Sequence, residues 1–157
     1  MEQPYPPTPS SDAAHALQQL KALPSLEDTK TQLQSAMDAI AAAASARIPS
    51  IRWETLDQGS SDNCQRPYEQ TAGQSFFLPQ RVAENVAVSE PDWAAIVAAA
   101  KDSAAKLDAT DVQVMKDQPR DHDVWFSGPT GLSIKVSYGG NLVIAGYTGC
   151  RLPNDKK

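Results

Sequence analysis

Residues able to do chemistry are few in this chain, and their spacing decides what they can do. There are two histidines. His15 lies beside alanines in an N-terminal helical stretch and reads as a surface residue. His122 lies in Arg120-Asp121-His122-Asp123, residue types that could hold a metal or move a proton. Consecutive residues in a turn point apart, however, and no third ligand recurs at helical or strand spacing, so a solvated turn is expected there. No serine occupies a G-x-S-x-G elbow with a histidine to act as its base. Gly128-Pro129-Thr130-Gly131 and Gly139-Gly140 lack the helix and lysine of a phosphate loop and read as hairpin turns. The sequence offers no catalytic set and no metal-ligating set, and it implies no cofactor.

What remains suits recognition. Arg66, Tyr68 and Glu69 follow Cys64 in a segment without regular pattern, and loops carry binding residues more often than cores do. The plainer alternative is that Arg66 pairs with Glu69 while Tyr68 covers a disulfide. Trp125 alternates out of phase with Val124 and Phe126, which places it on the opposite sheet face, where an exposed aromatic would mark a binding surface. Cys64 and Cys150 lie in neither a CxxC nor a metal-ligand spacing. They read as a disulfide, with two free buried thiols as the alternative. Such a bridge, closing about 86 residues, would remove roughly 4 to 5 kcal/mol of unfolded-chain entropy. It would also imply an oxidising, extracytoplasmic compartment.

The elements that position these residues are legible as hydrophobic periods. Prolines 4, 6, 7 and 9 favour an extended spacer, and Ala13, Ala16, Leu17 and Leu20 make a short helical stripe ended by Pro24. Ser25 followed by Glu27-Asp28 is a near capping box, opening a long helix whose stripe runs Leu26, Leu33, Met37, Ile40 and Ala44. Ile51 to Leu56 alternates as a first strand, and 57–73 reads as a loop. Phe76 to Leu78 is left open between a short strand and a packed loop. Ser89 caps a second long helix with Trp93, Ile96, Val97, Ala100, Ala104 and Leu107 on one face. From Asp111 to Cys150, period-two runs broken by turn residues describe a four-stranded antiparallel meander. The expected fold is α+β: a sheet of about five strands, with two long helices packed on one face and Trp53 and Trp93 in the core. Residues 1–24 form a proline-rich tether and short helix, 25–153 a single α+β domain, and 154–157 a polar tail.

Composition narrows the function. A chain of 157 residues with 41% hydrophobic residues suits one domain with one core. A formal charge of −5 and a pI near 4.9 argue against nucleic acid and against docking on anionic lipid. No apolar run approaches the roughly 18 to 20 residues that span a bilayer. A charged n-region and an apolar h-region are missing, so either the protein is cytosolic or a signal segment has been removed; Met1 ahead of a proline-rich tail fits the second.

Several motifs together resemble the mycobacterial LppA/LppV-type lipoproteins: Trp53-Glu54, Arg66-Pro67-Tyr68-Glu69 after Cys64, Ser89-Glu90-Pro91-Asp92-Trp93, Gly139-Gly140-Asn141-Leu142, and Gly146-Tyr147-Thr148-Gly149-Cys150-Arg151-Leu152-Pro153. The likeness covers nearly the whole chain after the proline-rich tail. None of these motifs is a catalytic signature. The resemblance implies an exported protein acylated on an N-terminal cysteine and held at the cell membrane. The lipobox cysteine is absent from this sequence, and Cys64 and Cys150 lie too deep in the chain to replace it. The function expected is a non-enzymatic binding domain of the envelope, with an envelope protein or lipid component as partner. Membrane attachment would come only through the anchor. The alternative is a carrier of a lipid or other apolar ligand between helix layer and sheet.

Overall fold

Three helices and eight strands make up the computed structural model, which describes residues 6–157. The Pro4 end of the spacer lies outside those residues. Helix α1 (Ser10–Ala22) is followed by α2 (Leu26–Arg47) and four short strands: β1 (Glu54–Thr55), β2 (Ser60–Asn63), β3 (Gln74–Phe77) and β4 (Arg81–Ala83). Helix α3 (Glu90–Ala105) leads into β5 (Asp111–Gln118), β6 (Asp121–Ser127), β7 (Ser133–Tyr138) and β8 (Leu142–Tyr147). The α+β class and the C-terminal meander are as expected.

The helix starts follow their capping chemistry. Ser25 Oγ accepts the Asp28 amide at 3.0 Å, and Ser89 Oγ accepts the Asp92 amide at 3.2 Å. Each bond satisfies one of the orphan donors of a helix N-terminus. Leu33, Met37, Ile40 and Ala44 of α2 are fully buried, as are Ile96, Ala100 and Ala104 of α3. Both helices lie on one face of the sheet, against Val124, Phe126, Ile134, Val136 and Ile144. These side chains fill the layer between helices and sheet, so an apolar ligand there would have to displace them.

The sheet is larger than the five strands expected. Its order is β1-β4-β8-β7-β6-β5, with β3 joined to β8 at Phe77–Tyr147 and β2 paired to β3. Strand β8 is thus the hub: β7 covers one edge, while β4 and β3 share the other. The stretch 57–73, read as loop, holds β2, and Phe76 belongs to a strand. The first strand shrinks from Ile51–Leu56 to Glu54–Thr55 at the sheet's edge. Trp53 is half-buried, packs against the core and donates from Nε1 to Ser45 Oγ at 3.0 Å. At the other edge, Val112 and Val114 of β5 face the helix side by their pairing with Phe126 and Val124, yet both are exposed. A bulge between Val114 and Lys116 interrupts this edge, a common protection against strand-on-strand association.

Cys64 is joined to Cys150 with Cα atoms 5.5 Å apart. The backbone at this corner is tight. Gly149 has φ +64°, and a Cβ there would come within 2.4 Å of the Leu132 backbone nitrogen. Cys150 N–H donates to Thr130 O at 2.9 Å, and Thr130 Oγ1 donates to Cys150 O at 2.7 Å. Left-handed strain and overpacking together predict that Gly149→Ala lowers unfolding free energy by about 2 to 4 kcal/mol in oxidised protein. Urea denaturation without reductant measures it; an unchanged midpoint would mean that the corner can relax.

The cleft at the disulfide

Residues 64–73 connect β2 to β3 and hold little apolar material, so hydrogen bonds and the disulfide give them their shape. Tyr68 N–H donates to Gln65 O at 2.9 Å, and both the amide and the hydroxyl of Thr71 donate to Tyr68 O. This compact turn presents the three residues singled out in sequence, and the N-terminal segment occupies much of their capacity. Arg66 Nη1 donates to Pro6 O at 2.7 Å and Tyr68 OH to Gln19 Oε1 at 2.8 Å. Glu69 accepts the Thr8 hydroxyl at 2.5 and 2.8 Å and the Thr8 amide at 3.3 Å. Gln70 Nε2 completes the clasp by donating to Thr8 O at 2.8 Å. Thr8 is buried as a result. The spacer is therefore strapped down from residue 6 onward, and α1 packs Leu17 and Leu20 on a small second core with Cys150, Leu152, Cys64 and Tyr68.

Arg66 and Tyr68 also line an open cleft of about 500 Å³ with Asp62, Phe77, Thr130 and Tyr147, floored by the disulfide. Phe77 is 44% exposed and stacks on Tyr147 with ring centroids 4.3 Å apart. The cleft lies on the sheet face away from α2 and α3, because Tyr147 alternates with buried Gly146 and Ile144. Glu69 does not line it; its carboxylate is turned to the strap. Trp125 occupies the same outer face, opposite Gln113 and Lys135 in register. Two strand spacings separate β6 from β8, about 10 Å. Trp125 is half-buried rather than an exposed aromatic: Lys135 Nζ stands 5.3 Å from its ring centroid, and its Nε1 meets no acceptor among the described residues. Lys135 also approaches Asp123 at 3.8 Å.

One cluster departs from the sequence reading. His122 is not in a solvated turn. The hairpin turn is Pro119-Arg120, with Arg120 at φ 66°, and His122 is the first inward residue of β6. Extending the Val124 and Phe126 alternation back by two residues would have placed it. Its Nε2 meets Glu90 at 2.9 Å, its Nδ1 meets Asp117 at 3.1 Å, and the ring stacks on Trp93 at 4.7 Å. Each ring nitrogen thus faces a carboxylate, one from α3 and one from β5. This arrangement ties the start of α3 to the β5–β6 hairpin and leaves neither nitrogen for a nucleophile. Among the described residues no group of three side chains is placed to hold a metal, and no helix is long and apolar enough to cross a membrane.

The Glu69 carboxyl is held below its ordinary pKa, chiefly by the Thr8 hydroxyl, against desolvation, with the Thr8 amide and Arg66 adding to the lowering. A carboxylate with a depressed pKa stabilises the docked strap fully above its ordinary value and loses that contribution as pH falls through the depressed one. Thr8 should therefore show the ¹⁵N relaxation of a folded residue at neutral pH and become more mobile as the pH is lowered through the acid range. Glu69→Ala should release it at all pH values. A rigid Thr8 in the variant would show that other contacts hold the segment.

A family model described as "Lipoprotein confined to pathogenic Mycobacterium", LppA, matches residues 1–154. Among solved structures, the lipoprotein LppA from Mycobacterium tuberculosis superposes with a TM-score of 0.73 at 16% identity, over 93% of this chain and 89% of that one. A DUF4853 family protein from Actinomyces odontolyticus gives 0.59 at 17% identity, over 84% of this chain and 70% of that one. At these identities the two structures establish a shared fold. Among curated proteins nothing matches the chain.

Proposed function

The chain belongs to the LppA lipoprotein family, and from that premise we propose that it is a non-enzymatic binding domain of the cell envelope, lipid-anchored and extracytoplasmic. Its recognition surface is the cleft beside the disulfide. The observation that carries this reading is the convergence of Arg66, Tyr68, Phe77 and Tyr147 around one concave site. Tyrosine, phenylalanine and arginine are enriched at protein interfaces, because each supplies large contact area with a polar or charged handle. Asp62 and Arg66 add one charge of each sign at the rim. That mixture of aromatic rings and charged side chains fits a polypeptide segment of another envelope protein.

The strap gives the site an orientation. An anchor placed before residue 6 would leave the domain next to Arg66, so the cleft would open near the tethered end. A disulfide between distant segments fits an oxidising compartment.

Photo-crosslinking amino acids at Phe77 and Tyr147, in protein exported by a mycobacterial host, test the reading. We expect one discrete crosslinked protein, identifiable by mass spectrometry, that disappears when Phe77→Asp is combined with the Tyr147 probe. A probe at exposed Ala98 of α3 should not give it. No product from the cleft, or a product indifferent to Phe77→Asp, overturns the site. Recovery of the native protein from the cytosol with reduced cysteines overturns the envelope assignment.

A further inference from the structure

Arg151 follows the disulfide directly and is 3% exposed. Its backbone pairs with Gln74 in both directions, Arg151 N to Gln74 O at 3.0 Å and Gln74 N to Arg151 O at 2.9 Å. Its guanidinium has no comparable satisfaction. Nε and Nη1 are buried, and among the described residues they meet no acceptor and no carboxylate lies within ion-pair distance. Unpaired buried donors are rare in folded proteins, and an unpaired buried charge rarer still. Burial pushes this group's pKa down, while Asp108 and Tyr68 act at longer range to hold it up.

The same side chain lines a pocket of about 100 Å³, walled by Pro24, Gln32, Lys106, Asp108 and Pro129. This pocket lies at the C-terminal end of α3 and does not share a lining residue with the disulfide cleft. Two cations against one carboxylate leave it net positive. The volume holds several times the space one water needs, enough for a carboxylate or a phosphate and too little for a ring system. Gln32, Lys106 and Leu107 are shared with a groove of about 280 Å³ between α2 and α3, whose other walls include Ala36, Ala39 and Ser103.

We propose that the Arg151 pocket is an oxyanion-binding site, taking a carboxylate or phosphate group on Arg151 with Lys106 at its rim. The guanidinium is a planar donor whose geometry matches such groups, and Lys106 adds a mobile charge. The shared chemistry has two sources. A free small anion uses the pocket alone; the headgroup of an amphiphile also lays its tail in the α2–α3 groove. This site is independent of the disulfide cleft.

The test is a ¹H–¹⁵N NMR titration of the intact oxidised protein with inorganic phosphate, acetate and decanoate, at ionic strength held constant with sodium chloride. We expect saturable shifts at the Lys106, Leu107, Asp108 and Arg151 amides, with affinity at least tenfold weaker in Arg151→Met and several-fold weaker in Lys106→Gln. Lys106 is exposed, so its variant keeps the fold if Arg151→Met does not. Phosphate or acetate binding as tightly as decanoate identifies a free anion. Decanoate binding at least tenfold tighter, with shifts spreading to Ala36, Ala39 and Ser103, identifies an amphiphile headgroup. Shifts that fail to saturate with all three probes, or that persist unchanged in both variants, overturn the proposal.

Discussion

The corner where the β2–β3 connection meets the end of β8 depends on one covalent constraint, the Cys64–Cys150 bond. It spans 86 residues and joins the β2–β3 connection to the chain just after β8. Residues 57–73 are mostly exposed, so burial alone gives that connection little reason to adopt one shape. Loop closure of this length contributes on the order of 4 to 5 kcal/mol by the chain-entropy estimate. Against a typical net stability of about 5 to 15 kcal/mol, that is a large share. The bond also has close packing around it: a Cβ on Gly73 would come within 2.4 Å of Cys150 Sγ. Side chain and disulfide cannot both occupy that space, so the residue at 73 and the bond at 150 are matched.

The second core follows from the same bond. Leu20 and Leu152 are fully buried in one cluster with Cys150, with Leu17, Cys64 and Tyr68 packed against it. Helix α1 has two buried side chains, Ala16 and Leu20, and no side-chain cap at its start. Helices this short are marginal in water unless packing supports them. Its hold on the body is the small cluster at the disulfide, the Tyr68–Gln19 bond and the clasp on Thr8. The loop that carries Arg66, Tyr68 and Glu69 and the segment leading toward the N-terminus therefore stabilise each other.

How far the sequence discloses this depends on whether each feature is local. Helix caps at Ser25 and Ser89, and the alternation of β6, β7 and β8, are set by neighbours three residues apart or fewer, and they appear where their patterns place them. Strand β2 is Ser60-Ser61-Asp62-Asn63, fully exposed, with no hydrophobic period to announce it; it is a strand because Phe76 and Phe77 pair with it from β3. Val112 and Val114 alternate correctly but lie on an edge strand that the helices do not cover, so pattern fixes their direction and not their burial. Arg66, Tyr68 and Glu69 stand out in the sequence as a polar-aromatic group. Their partners Pro6, Gln19 and Thr8 lie 60, 49 and 61 residues away, beyond any local signal.

Extended backbone explains how one corner can serve two faces. Successive side chains of an extended segment point to opposite sides. Cys150 lines the outer cleft, while Arg151, the next residue, lines the pocket beneath the α3 terminus. The β6–β7 connection repeats the division, with Pro129 against the pocket and Thr130 in the cleft. Thr130 and Cys150 are bound to each other through two hydrogen bonds, and Arg151 to Gln74 through two more. The wall between cleft and pocket is thus a doubly hydrogen-bonded, disulfide-pinned backbone rather than a layer of side chains. The backbone of this corner is held by those bonds and the disulfide, whatever side chains stand around it.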